Sequence, residues 1–356
     1  NRHDVLDLQP DRSLMKKLLE EGLDIYIMDW GYPTKADRYL TMEDYILGYM
    51  GDAIDFVRRT HKVDKIHKMG ICQGGLFSMI YAAMFPEKLQ SLTTYVAPYD
   101  FTDTNCNMLY KWTKYVDVDT MVDTQGIISA GMLNSAFGML KPSSDLAKYF
   151  GVMDMLEDKD KLMNFLRMEK WKADCPDLSG EMYRKYIKDL FRDNKLIKGE
   201  LEMDGVKVDL KNMTVPFLNV YATEDNIIPN ESSTAVMSKI GSKDKKEYAF
   251  PGGHIGVFVG AKPVGVPLGR LADVADGRID AGFPRAGADH VVAPVGLVDD
   301  GLPRAFEQGQ VPGRGHAQKG VTRRHQVGFP QKVEHVIARQ RVGQKPQVKR
   351  GRPRGG

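Results

Sequence analysis

Residues 65–78 read Lys65-Ile66-His67-Lys68-Met69-Gly70-Ile71-Cys72-Gln73-Gly74-Gly75-Leu76-Phe77-Ser78. A β-like run enters this stretch, a helical run leaves it, and Gly-x-Cys-x-Gly sits between. That is the pattern of a nucleophile elbow, with cysteine where serine is usual. The chain must turn sharply from strand to helix, so the flanking positions call for Gly70 and Gly74, which allow close backbone approach. The turn sets the Cys72 sulfur at the end of a sheet and at a helix N-terminus, whose dipole favours thiolate. A lone cysteine in an apolar run is otherwise a small core residue. Here the glycines and the strand-to-helix switch favour the nucleophile.

Working outward, β-like and helical segments alternate, which argues a parallel sheet covered by helices. Arg12 to Glu21 is helical and closed by Gly22. Leu23–Met28 is a strand. Met42–Thr60 is a helix with Ile46, Met50, Ile54 and Val57 on one face. Strand 65–71, helix 75–84 and strand 89–96 follow, and Pro86 stops the helix. Alternation then lapses over 97–214, where helical patterns appear at 107–116, 144–168 and 181–196. It resumes with strand 216–222, a helix near 231–239 and strand 246–250. The expected organisation is an α/β-hydrolase fold: core 1–96 and 215–260, with a helical cap, 97–214, inserted above the sheet. A separate helical domain is the alternative reading of 97–214.

Composition breaks near residue 260. Residues 1–260 hold 33 Lys+Arg and 39 Asp+Glu, and the remainder holds 17 and 8, so the overall +3 averages two unlike pieces. Gly and Pro make up 25 of the last 96 residues, which contain no Met, Tyr, Trp or Cys. Residues 261–356 are therefore expected to be a disordered or out-of-frame tail. Cys72, Cys106 and Cys175 give neither a disulfide framework nor a metal-binding pair, so a reducing cytoplasm is expected and no metal site. No apolar run reaches the ~20 residues that span a bilayer.

A cysteine nucleophile needs a base, and the base needs an orienting group. In this fold the chain order is nucleophile, acid, histidine, with the last two on loops after later strands. Asp225 follows strand 216–222, and His254 follows strand 246–250 within Pro251-Gly252-Gly253-His254. Glu224 competes with Asp225 as the acid, and a turn aspartate bonding its own backbone is the bland alternative. His254 is expected to take the Cys72 proton, with the Gln73 backbone N–H as one oxyanion donor. Thiol-for-thiol exchange is nearly balanced in energy, which favours acyl transfer from a coenzyme A thioester over hydrolysis.

The runs Asp7-Leu8-Gln9-Pro10-Asp11-Arg12-Ser13, Asp29-Trp30-Gly31-Tyr32-Pro33, Gly70–Gly75, Lys195–Leu201, Val208–Asn212 and Gly253-His254-Ile255-Gly256 together resemble the catalytic subunit of poly(3-hydroxyalkanoate) synthase. The resemblance is to the two-subunit, class III type and covers about residues 4–260. It implies a Cys72–His254–Asp225 catalytic set and 3-hydroxyacyl-CoA substrates. It also implies a growing polyester held on cysteine, and no cofactor beyond the coenzyme A thioester. A non-catalytic partner subunit, homo-oligomers and work at the surface of cytoplasmic storage granules are implied as well. In the family the aspartate is often assigned to activating the substrate 3-hydroxyl rather than only orienting histidine. The family's strand and loop upstream of Asn1, with the second oxyanion donor, are not in this chain, and 261–356 do not resemble its terminal helix. An N-terminally truncated chain with little activity is therefore expected, and an inactive synthase fragment is one alternative. A cysteine hydrolase acting on a lactone or thioester is another, disfavoured by the long cap. The string Lys349-Arg350-Gly351-Arg352-Pro353-Arg354 resembles a minor-groove arginine hook, but such strings arise readily in Arg/Gly/Pro-rich sequence, so no nucleic-acid partner is expected.

Overall fold

Five strands assemble where the hydropathy pattern sets them: β1 (Asp24–Met28), β2 (Ile66–Ile71), β3 (Leu89–Tyr95), β4 (Phe217–Ala222) and β5 (Lys245–Phe250). The computed structural model describes residues 2–9, 11–102, 108–140, 150–259, 290–294 and 336–337. β2, β3, β4 and β5 lie side by side and parallel. Parallel neighbours need crossovers, and helix α3 (Gln73–Met84) supplies the first of these between β2 and β3.

Before the elbow, α1 (Leu14–Glu20) opens on Ser13, whose hydroxyl accepts the Lys16 N–H at 2.9 Å. Gly22 then takes a positive φ of 87°, as expected of the residue that closes the helix. The expected helix at 42–60 divides: Asp44–Met50 is π-helical and runs into α2 (Gly51–His61). Ile46, Met50, Ile54 and Val57 are all buried. Their spacing of four, four and three keeps them on one face of the helical run. With Leu76, Met79 and Ile80 of α3 they form one apolar cluster, while Leu14, Leu18, Val220, Val257 and Phe258 belong to a second.

Between β3 and β4 the chain builds helices. The expected pattern at 107–116 becomes α4 (Met108–Tyr115), and 144–168 becomes two helical stretches, residues 150–155 and α7 (Lys159–Ala173), with residues 141–149 outside the described set. The pattern at 181–196 becomes α8 (Gly180–Lys185), which continues as π-helix through Tyr186–Arg192. Two further helices carried no strong period: α5 (Val118–Gln125), capped by the Asp117 carboxylate, and α6 (Ala130–Gly138), capped by Ser129. The helix expected near 231–239 is a short α turn, Asn230–Thr234, followed by a 3₁₀ turn, Ala235–Ser238.

Two short runs beyond Gly260 join the sheet. Sequence beyond Gly260 shows no strand period, yet β6 (His290–Pro294) pairs parallel to both β1 and β2. In addition, β7 (Val336–Ile337) pairs antiparallel to β1. The sheet order is β7-β1-β6-β2-β3-β4-β5. Facing edges of β1 and β2 present backbone donors and acceptors that must be satisfied. The rest of 261–356, including the basic string at 349–354, lies outside the described residues. Among the described residues no helix is long and apolar enough to cross a membrane.

Candidate active site

At the end of β2 the backbone leaves no room for side chains. A Cβ on Gly70 would stand 2.6 Å from the Gly74 carbonyl oxygen and 2.7 Å from the Gly75 Cα. The second tight position is Gly75, where a Cβ would meet the Ala97 Cβ at 2.6 Å. The sequence reading credited Gly70 and Gly74, so Gly75 is an addition to it. Cys72 occupies the turn with φ 51° and ψ −121°, a strained conformation of the kind that clusters at functional sites. Its N–H donates to the Tyr95 carbonyl at 2.9 Å, and its carbonyl accepts the Gly75 and Leu76 N–H groups as α3 begins. The thiol is thereby fixed on the first turn of the helix, partly accessible.

Asp225 and His254 come from the loops that leave the two neighbouring strand ends. These loops are tied together: the Thr223 N–H donates to the Phe250 carbonyl at 2.8 Å and the Glu224 N–H to the Gly252 carbonyl at 2.9 Å. Asp225 uses both carboxylate oxygens. Oδ1 accepts the N–H groups of Ile227 and Ile228 at 2.8 and 2.9 Å, and Oδ2 accepts His254 Nδ1 at 2.7 Å. The Asp225 side chain is 2% exposed, whereas Glu224 points to solvent. The structure brings Asp225 to the histidine and leaves Glu224 out. The turn aspartate of the bland reading is also realised, since the same carboxylate bonds its own loop and the imidazole.

With Nδ1–H committed to Asp225, the other ring nitrogen of His254 is the one left for Cys72, with which the ring shares a hydrogen bond. Electrostatics favour ionisation of this pair. Burial works to raise the Cys72 thiol, but the charge and hydrogen bond of His254 and the Gln73 N–H outweigh it, so the pKa falls below the ordinary thiol range. Burial would lower His254, yet the Cys72 charge and the Asp225 hydrogen bond push it up to about 10. Both shifts act in the direction that favours moving the proton from the thiol to the imidazole. The Gln73 N–H, expected as an oxyanion donor, rests against the sulfur.

The cap closes over this centre. Gln73 Nε2 lies 3.6 Å from the Met182 sulfur, and one helical turn on, the Tyr186 ring meets Phe77 edge-on at 6.4 Å. Tyr186 and the buried Tyr110 both feel the Cys72 charge, and Tyr110 Oη pairs with Ser232 Oγ at 3.1 Å. Sequence reasoning missed these residues, because an aromatic in an amphipathic helix gives no sign that it faces a thiol. Cys175 is half-buried, with its thiol pushed up by burial, and Cys106 lies outside the described residues. Among the described residues no group of three His, Cys, Asp or Glu side chains could hold a metal ion.

Comparison with known proteins adds lineage to geometry. Residues 5–261 match the family model of the alpha/beta hydrolase fold. Over 263 residues the chain is 47% identical to the poly(3-hydroxyalkanoate) polymerase subunit PhaC of Allochromatium vinosum, covering 74% of each chain. It is 46% identical to the subunit of the same name from Thiocystis violacea, again over 74% of each. It is 44% identical to that of Synechocystis sp., over 74% of this chain and 71% of that one.

Proposed function

The chain belongs to the poly(3-hydroxyalkanoate) polymerase subunit family, on the α/β-hydrolase fold, and from that premise we propose that it is an acyltransferase working through a Cys72 thioester. The substrate is a 3-hydroxyacyl-coenzyme A, and the product is a polyester with release of coenzyme A. The observation that carries the mechanism is the placement of His254 against Cys72 with Asp225 bonded to the far ring nitrogen.

The Cys72 thiolate attacks the thioester carbonyl carbon. Developing negative charge on the carbonyl oxygen is met by the Gln73 N–H, fixed at the start of α3. As the carbon–sulfur bond to coenzyme A breaks, the leaving thiolate takes the proton from the His254 imidazolium. Cys72 is left acylated and His254 neutral. A hydroxyl group then attacks the acyl-Cys72 carbonyl, His254 accepts its proton, an ester bond forms and the thiolate is regenerated. Both steps exchange a single proton through one imidazole, and no cofactor is required. Asp225 is assigned the orienting role, supported by its burial and by the commitment of both its oxygens. A non-catalytic partner subunit, homo-oligomers and residence at the surface of cytoplasmic polyester granules extend the same reading.

Incubating the protein with 3-hydroxybutyryl-CoA tests it. Coenzyme A release with water-insoluble polyester, at a low rate, is expected. Coenzyme A release with an equal amount of soluble 3-hydroxybutyrate would assign a hydrolase instead.

A further inference from the structure

Five non-glycine residues among those described have a positive φ: Lys62, Cys72, Val96, Asn194 and Asp204. Three have ordinary reasons. Lys62 ends α2 and returns its N–H to the last turn. Asn194, a residue type that tolerates this region, precedes the short helix Lys195–Lys198. Asp204 shares with Gly205 the turn of the small hairpin Glu202–Met203/Val206–Lys207. Cys72 is the elbow. Val96, at φ 44°, has none of these excuses, and for a β-branched residue the left-handed region is a genuine outlier. Glycine would adopt it without cost.

Its position gives the strain a use. Val96 follows the last residue of β3, beside the elbow. Tyr95 offers the carbonyl that accepts the Cys72 N–H, and the Val96 N–H donates to the Val220 carbonyl at 2.7 Å. Ala97, one residue on, presents the methyl group against Gly75. The isopropyl group is 1% exposed and lies in the buried cluster that contains Tyr95, Val220, Val257 and Phe258. The last two come three and four residues after His254 and anchor its loop.

We propose that Val96 is a positioning residue whose isopropyl group, held in a left-handed step, ties the backbone that seats Cys72 to the apolar anchor that seats His254. The proposal rests on the reading of Cys72 and His254 as nucleophile and base. Strain persists here because the side chain that causes it is also the one that fixes the sulfur-to-imidazole spacing. The groups that lower the Cys72 thiol are the His254 ring and the Gln73 N–H, and the Cys72 charge in turn acts on Tyr110 and Tyr186.

The test is the pH profile of Cys72 alkylation by iodoacetamide in the full chain, read at the Cys72 peptide, for the wild type and Val96→Gly, Val96→Ala and Val96→Ile. Val96→Gly relieves the backbone but empties the anchor. Its profile is expected to move to higher pH, each unit of displacement lowering the neutral-pH rate about tenfold. Val96→Ile is expected to restore the wild-type profile. A residue with only a packing role would change thermal stability and leave the profile in place, so Val96→Gly and wild-type profiles that superimpose overturn the proposal. If Val96→Gly does not fold, Val96→Ala, which removes only two methyl groups, is read by the same criterion. A wild-type Cys72 that titrates as an ordinary thiol overturns the Cys72–His254 pairing itself, and the proposal with it.

Discussion

At the sheet's end, backbone constraints hold the reactive side chains: Gly70 and Gly75 leave no room to shift, and two N–H groups and an imidazole fix Asp225. Above it, the cap is tied to the core by the Glu181 and Met182 N–H groups, which donate to the Arg38 and Leu40 carbonyls, its Tyr186 and Tyr110 feel the Cys72 charge, and its own helices are joined by charges. Arg184 on α8 bonds Asp119 and Asp123 on α5, and Lys188 joins Asp119. Side chains on α6 and α7 such as Phe137, Met163 and Leu166 remain exposed. The difference teaches where precision resides. A nucleophile must be placed to a fraction of an ångström, which packed backbone can do, whereas a cap that admits a long substrate can be built from adaptable contacts.

The largest expected effect breaks the comparison at its sharpest point. Cys72→Ala should cost acyl transfer on the order of 10⁴-fold or more while the fold is retained, since the turn accepts a small side chain. Activity assays alongside circular dichroism check both halves. A variant with substantial activity would move the chemistry out of the elbow.

Gly70→Ala comes next, and acts on stability. Its Cβ meets backbone on two sides, which cannot give way as a side-chain tip could. A loss of about 3 kcal/mol is expected in urea unfolding. A near-neutral result would show the elbow to be looser than the contacts say.

His254→Gln separates geometry from charge. The Cys72 thiol lies below its ordinary range because His254 sits beside it, so removing the imidazole raises it. With more thiol protonated at neutral pH, iodoacetamide labelling should slow about ten- to a hundredfold at pH 7 and recover as pH rises past the ordinary thiol range. An unchanged profile would mean that the helix N-terminus alone activates the sulfur.

The smallest effect belongs to the cap. Arg184→Ala removes ion pairs whose carboxylates are about half exposed or more. A loss of about 0.5–1 kcal/mol is expected, shrinking in high salt. A loss several times larger would make the cap as rigid as the sheet and erase the contrast.

The same contrast explains what could be read from the sequence. Gly70, Cys72, Asp225 and His254 declare themselves because each stands at a fixed offset from a strand, and steric rules over a few residues dictate the glycines. Tyr110, Tyr186 and Val96 do not. Their roles depend on which distant surfaces meet, and neither an aromatic in an amphipathic run nor a valine ending a strand carries a local mark. The strand β6 was invisible for a related reason: its pairing is set by the edges of β1 and β2 rather than by its own period. In the cap, α5 and α6 were missed because their apolar stripes are short and side-chain caps define their starts.

The central claim is that Cys72 carries the acyl group. Brief incubation of the full chain with 3-hydroxybutyryl-CoA, acid quenching, digestion and mass spectrometry test it directly. The account predicts a 3-hydroxybutyryl adduct on the peptide containing Cys72, absent from those containing Cys106 and Cys175 and lost in Cys72→Ala. An adduct on another residue, or coenzyme A release with no acylated Cys72 at any time, would contradict it.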